Sequence, residues 1–129
     1  MAALGDSFLL PKPGEEVEHL WVLITAPDPG THQAIMVNVT TRRPHSDSTT
    51  MLNTGDHPFV HKPSVLFYAD ARIVDARLLD QLLKQGAFKS HAPFQRNVLT
   101  RIQNGLRQSP FTANKIKTAF ANAAEAGLI

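Results

Sequence analysis

No cysteine occurs among the 129 residues. That excludes a disulfide framework, a thiol nucleophile and any zinc or iron–sulfur site built on thiolates, and it fits a reducing compartment. Apolar runs are short, and none approaches the ~18 residues of a membrane-spanning helix. Residues 1–10 carry no basic stretch ahead of their apolar residues, so they do not read as a secretory signal. A cytoplasmic location, away from membranes, is expected. No Gly-rich phosphate loop is found, and nothing points to a bound nucleotide, flavin or haem; no cofactor is expected. Paired carboxylates at hydrolase-like spacing, internal repeats and heptads are missing too.

What is present is globular in kind: hydrophobic residues make up 43% and charged residues 19%, which argues against wholesale disorder. The length fits one domain, residues 1–129. The formal net charge of +2 conceals an asymmetry. Residues 1–70 hold four Lys or Arg against eight acids, a net of −4, and residues 71–129 hold nine against three, a net of +6. A basic half favours contact with phosphate backbones through counterion release, although helices also carry Lys and Arg simply on their wet faces.

The two halves differ in pattern, mainly β over 1–74 and mainly α over 75–129. His19 to Thr25 is a run of β-formers ended by Pro27-Asp-Pro-Gly30, where Gly30 is able to take positive φ. Ala34 to Thr41 alternates Ile35, Val37 and Val39 with Met36, Asn38 and Thr40, so one apolar face and a hairpin to the preceding strand are expected. Residues 42–50 form an exposed polar loop with no packing face. Met51-Leu52 is a short strand, 53–56 a turn, and His57 to His61 an extended segment bounded by Pro58 and Pro63. Ser64 to about Ile73 is the third strong strand. Asp75 N-caps a helix from Ala76 to Gln85 with Leu78, Leu79, Leu82 and Leu83 inward, stopped at Gly86. A second helix over 93–107 shows Phe94, Val98, Leu99, Ile102 and Leu106 on one stripe. Ser109-Pro110 reads as N-cap and N1 of a last helix. The fold class is therefore α+β, a small barrel or strongly curved antiparallel sheet followed by C-terminal helices.

Several residues carry chemistry. Thr40 and Thr41 end a strand beside Arg42-Arg43, and a hydroxyl with a guanidinium fork can hold a phosphate oxygen. His57 is either an acid/base or a structural histidine capping the turn at Gly55-Asp56. Paired with His61 along a strand it would sit about 13 Å away, too far to share a metal, so no metal site is expected. His45 lies in the polar loop, where it can meet substrate or only solvent. His19 reads as structural. Trp21, Phe59, Phe67 and Tyr68 can stack bases or fill a core, with Phe67 and Tyr68 on opposite faces. Arg72 and Arg77 either bind substrate or pair with Asp70 and Asp75.

In order, four stretches resemble the MazF/PemK-like toxin family of toxin–antitoxin systems. His19-Leu-Trp-Val-Leu-Ile-Thr25 is similar to its first long strand. Val37-Asn-Val-Thr-Thr41 is similar to its threonine-ended strand, and Lys62-Pro-Ser-Val-Leu66 to its Lys-x-Ser-Val strand. Ala71-Arg-Ile-Val-Asp-Ala-Arg-Leu78, followed by Gly86, is similar to the strand-to-helix passage after it. The likeness covers about residues 12–107. The family's opening Arg-Gly-acid is replaced here by Lys12-Pro-Gly-Glu15. The resemblance implies an SH3-like barrel, a cytoplasmic homodimer, an antitoxin partner and metal-independent cleavage of single-stranded RNA. On that reading Thr40, Thr41, Arg42, Arg43 and His57 are the catalytic residues, with Lys12, His45, Ser64 and Arg72 binding substrate. A non-catalytic nucleic-acid-binding or regulatory module on the same barrel is the alternative, and a protein-interaction module the second.

Overall fold

A computed structural model describes residues 1–11 and 18–129. Nine elements follow in order: β1 (Ser7–Pro11), β2 (Glu18–Leu23), β3 (Gln33–Thr41), β4 (Met51–Leu52), β5 (Ser64–Asp75), α1 (Ala76–Lys84), β6 (Lys89–His91), α2 (Arg96–Gln108) and α3 (Asn114–Glu125). The strands form one antiparallel sheet in the order β4-β5-β3-β2-β1-β6. The protein is α+β: a strongly curled half-barrel with helices after it. The sheet is not closed, since β4 and β6 are its edges. Among the described residues no helix is long and apolar enough to cross a membrane.

The β2–β3 hairpin is as the alternation predicts, with Leu20 opposite Val39 and Leu23 opposite Met36. Its turn is made differently. Asp28 Oδ1 accepts the N–H groups of Gly30 (2.8 Å) and Thr31 (3.0 Å), so Gly30 need not flip. The left-handed residue is His32, at φ 62°, held by its N–H to the Asp28 carbonyl and by Ala76 N–H to its own carbonyl.

Apolar residues pack on both sides of β3, not one. Ile35, Val37 and Val39 join Leu20, Val22, Leu66 and Tyr68 under α2 and α3. Ala34 and Met36 join Phe8, Trp21 and Leu23 under Leu79 of α1. The second face needs its own cover, and β1 and α1 supply it. Within α1, Ala76 and Leu79 are buried while Leu82 and Leu83 are half-buried; Leu78 is exposed. The helix rests on the line through 76, 79 and 83, and Leu78 falls off that line. Asp75 caps it as expected, accepting from Arg77 N–H at 2.8 Å. Gly86, at φ 77°, closes it by donating to the Leu83 carbonyl.

Four further expectations are corrected. The helix expected from 93 starts at Arg96, because the N–H of Phe94 is committed to the Gly5 carbonyl; the stripe of Phe94, Val98, Leu99, Ile102 and Leu106 is buried as predicted. Ser109 does not N-cap the last helix. It is the C-cap of α2, and α3 begins only at Asn114 behind Ala113. Ser109 Oγ instead donates to Asp47 Oδ2 (2.6 Å). That bond also corrects the loop over 42–50: its second half is anchored to the end of α2. Burial pushes the Asp47 carboxyl up, but hydrogen bonds from Ser109 and Thr49 outweigh it and hold the group below its ordinary value. Residues 57–60 are a turn rather than an extended segment, closed by Val60 N–H to the His57 carbonyl (2.9 Å).

Candidate functional site

The end of β3 and the start of β5 meet at one corner of the sheet, with Thr40 opposite Val65 and Thr41 opposite Ser64. Beyond the pairing, Arg42 N–H donates to the Pro63 carbonyl (3.1 Å), so the chain after Thr41 stays beside the chain before Ser64. A groove of about 510 Å³ opens there, lined by Thr40, Thr41 and Arg43 on one wall and by His61, Lys62 and Ser64 on the other, with Glu18 and His19 at its end. Two cations, two imidazoles and three hydroxyls therefore share one cleft. The acid among them is engaged: Glu18 Oε1 takes the Lys89 ammonium at 2.9 Å.

The structure brings together Thr40, Thr41, Arg43 and Ser64 from the residues singled out in the sequence. The other candidates lie elsewhere. Arg42 lines a neighbouring hollow with Arg43, Pro44, Ser46 and Ser48. His45 is exposed on the loop and is not among the residues lining the groove. Lys12 lies outside the described residues. Arg72 pairs with Asp70 (3.1 Å) and covers the Trp21 ring with its guanidinium 4.9 Å from the centroid. Ser64 Oγ donates to the Lys62 carbonyl (2.9 Å).

His57 is buried away from the groove. Its Nδ1 accepts from Phe59 N–H (3.1 Å), which puts its proton on Nε2, and Nε2–H donates to the Ala92 carbonyl (2.6 Å). Burial pushes its pKa down, the Ala92 carbonyl opposes that, and nearby His91 adds to the lowering. Ser7 Oγ lies 3.2 Å from Nε2, a pairing that looks like an activated nucleophile. It is not one, because Nε2 already carries the proton and the Ser7 hydroxyl itself donates to the Ala92 carbonyl. The three groups clamp β1, the 57–60 turn and the chain after β6. Among the described residues no group of three His, Cys, Asp or Glu is placed to hold a metal.

A second cavity, about 140 Å³, adjoins the groove and shares His19 and Thr40 with it. Trp21, Asn38 and Phe67 stand opposite one another across β2, β3 and β5, on one face of the sheet. The pairing slips here: between Asn38 and Met36, β3 advances two positions while β5 runs from Phe67 to Arg72. The resulting bulge carries Asp70 over Asn38, whose Nδ2 donates to Asp70 Oδ2 (2.8 Å). Asn38 is 5% exposed, and its Oδ1 has no hydrogen-bond partner. A buried acceptor left unmade costs about 1–3 kcal/mol.

Lys62 and His61 were the groove residues least visible in the sequence as chemistry. Their signal is positional: pairing the Thr40–Thr41 end of β3 with Ser64 puts the residues just before Ser64 across from those threonines. Asn38 carried no such signal, because the alternation sets it with Met36 and Thr40 on the face opposite the expected apolar one. No protein-family model and no curated protein matches the chain. Fold and site define a half-barrel α+β protein with a cationic, imidazole-bearing groove at one corner of its sheet.

Proposed function

We propose that the chain is a metal-independent endoribonuclease, a divergent relative of the MazF/PemK-like toxins with an SH3-like barrel, acting on single-stranded RNA laid through the groove. The observation that carries this reading is the cleft where Thr40, Thr41, Arg43, His61, Lys62 and Ser64 converge. RNA cleavage without a metal needs a base for the 2′-hydroxyl proton, an acid for the departing 5′-oxygen and cations for the charged phosphorane. His61 and His19 serve as the acid/base pair from opposite parts of the cleft. Arg43 and Lys62 neutralise the phosphate, and the threonine hydroxyls hold its oxygens. The 2′-oxygen bonds to phosphorus as the bond to the 5′-oxygen breaks, leaving a 2′,3′-cyclic phosphate and a 5′-hydroxyl. The same reading carries a cytoplasmic homodimer and a protein antitoxin as partner.

The test is incubation of the purified protein with a long single-stranded RNA in EDTA, with the fragment ends mapped. Discrete cuts ending in cyclic phosphate, abolished in His61→Ala and in the Thr40→Ala/Thr41→Ala double variant, are expected. Intact RNA refutes the enzyme. One observation favours the second reading, a binding module on the same groove: the Ser64 hydroxyl is committed to the Lys62 carbonyl. Under that reading RNA is retained in a salt-dependent way and never cut.

A further inference from the structure

The cavity beside the groove has features that holding a phosphate does not use. It is walled by Trp21 and Phe67, and Phe67 is 43% exposed although it lies on a sheet strand. The exposed Phe67 ring offers a π-face to a flat ligand, whereas Trp21 is buried under Arg72. At its polar side stand Asn38, whose buried Oδ1 has no partner among the described residues, and the Asp70 carboxylate, with one cation, Arg72. Turning the Asn38 amide over would set its oxygen against the Asp70 carboxylate, so the observed orientation is the favourable one, and the orphaned acceptor stays. The cavity therefore asks for a planar ligand that donates twice and accepts once.

We propose that this cavity reads a guanine base of the RNA. Guanine alone among the four bases presents two adjacent N–H donors, N1–H and the 2-amino group, next to an acceptor, O6. Adenine and cytosine have one donor group on that edge, and uracil has one N–H between two acceptors. The two donors meet Asn38 Oδ1 and Asp70, O6 meets the Arg72 guanidinium, and Phe67 covers the ring. Because the cavity and the groove share His19 and Thr40, the base read belongs to a nucleotide next to the phosphate held in the groove. The proposal rests on the groove reading for its RNA context, but the cavity's preference for guanine is measurable without it.

Two measurements keep the failures apart. In the first, free guanosine, inosine and adenosine are titrated while the indole N–H resonance of Trp21, the only tryptophan in the chain, is followed by NMR. Inosine keeps the ring and O6 and lacks the 2-amino group. Guanosine should shift the resonance at concentrations about tenfold lower than inosine, the scale of one good base contact. Phe67→Ala should weaken guanosine severalfold, and Asp70→Asn should narrow the guanosine–inosine gap. In the second, U-rich 9-mers carrying one central G, inosine or A are compared by fluorescence anisotropy, with the same order expected. Nucleosides that all fail to move Trp21, or move it equally, overturn the base pocket. So do 9-mers that bind with equal affinity, even though the groove reading then survives. Guanosine selectivity without any binding of the 9-mers upholds the pocket and removes the groove reading.

Discussion

Gly105 sits in the middle of α2, where glycine costs up to about 1 kcal/mol relative to alanine. On helix propensity alone, Gly105→Ala should stabilise. The packing predicts the opposite. A Cβ at this position would fall inside the contact radii of Thr50 Oγ1 and Tyr68 Oη, and 2.8 Å from Tyr68 Cζ. Those atoms cannot step aside freely. Tyr68 is fully buried, its hydroxyl donating to the Ile102 carbonyl (2.8 Å) and sharing a 2.7 Å hydrogen bond with Thr50 Oγ1. Overpacking of this kind costs about 1–3 kcal/mol, and a disrupted buried hydrogen bond about 1–3 kcal/mol. After the propensity gain, a net loss of about 3 kcal/mol remains, a large share of the ~5–15 kcal/mol that holds a domain together. Urea unfolding followed by circular dichroism measures it, with exposed Asn104→Ala in the same helix as a control that should be neutral. In a Tyr68→Phe background the penalty of Gly105→Ala should shrink by about 1 kcal/mol, since one of the colliding atoms is gone. A Gly105→Ala protein as stable as the parent would show that α2 is free to shift away from the sheet, and would refute the reasoning.

Acid should weaken the fold through His57. Burial depresses its pKa in the folded chain below the ordinary 6.5, so on acidification the unfolded chain binds a proton that the native one resists. Its contribution is complete above about pH 6.5 and is lost as pH falls toward the folded value. The urea midpoint of the parent should drop between about pH 7 and pH 5, and His57→Asn should flatten that part of the profile; equal slopes would remove His57 as the cause. Arg43→Ala/Lys62→Ala should weaken binding of every single-stranded RNA alike and flatten the plot of log affinity against log salt by about 0.7 per lost phosphate contact. An unchanged slope would place the backbone elsewhere. Asn38→Leu should leave stability roughly unchanged, because removing a buried acceptor with no donor offsets the lost hydrogen bond to Asp70, and it should abolish the guanosine preference. Destabilisation by more than about 2 kcal/mol would make Asn38 a structural residue instead.

The legible parts of the fold were those in which one period dominates. β3 announces itself by alternation, α2 by the four-residue recurrence from Phe94 to Leu106, and α1 by Asp75 at its start and Gly86 at its end. β1 and β6 were not legible. Ser7–Pro11 is five residues ending in proline, and Lys89-Ser-His91 is polar and sits at the sheet edge, where pairing is decided by the neighbour and not by local preference. Ser109-Pro110 misled because Ser before Pro is also what a tight turn requires, and the partner that decided between them, Asp47, is 62 positions away. His57 stayed open between an acid/base and a structural role for the same reason. Its neighbourhood in sequence is turn-like and polar, but its partners Ser7 and Ala92 lie 50 and 35 positions away, on either side of it. Of the groove, one wall was visible because Thr40 to Arg43 are consecutive. The other became visible only once β3 and β5 were paired.

The bulge in β5 is the feature that most favours the proposed binding site over a flaw in packing. A regular β5 would keep its pairing with β3 through Asn38 and Met36, and nothing would rise above Asn38. The additional residues between Phe67 and Arg72 break that pairing, which loses ladder hydrogen bonds, and what they deliver is a carboxylate over a buried amide. The amide is still left one partner short. Leucine or valine at position 38 would suit the surrounding Trp21 and Met36 and would not require Asp70 at all. Sequence and fold agree at the other inward positions of β3 and part company at this one. Such local disagreement marks a site where the chain accepts a less stable arrangement for contact with something else. The cavity shares His19 and Thr40 with the groove, so under the proposal a base held there would lie in register with a phosphate in the groove.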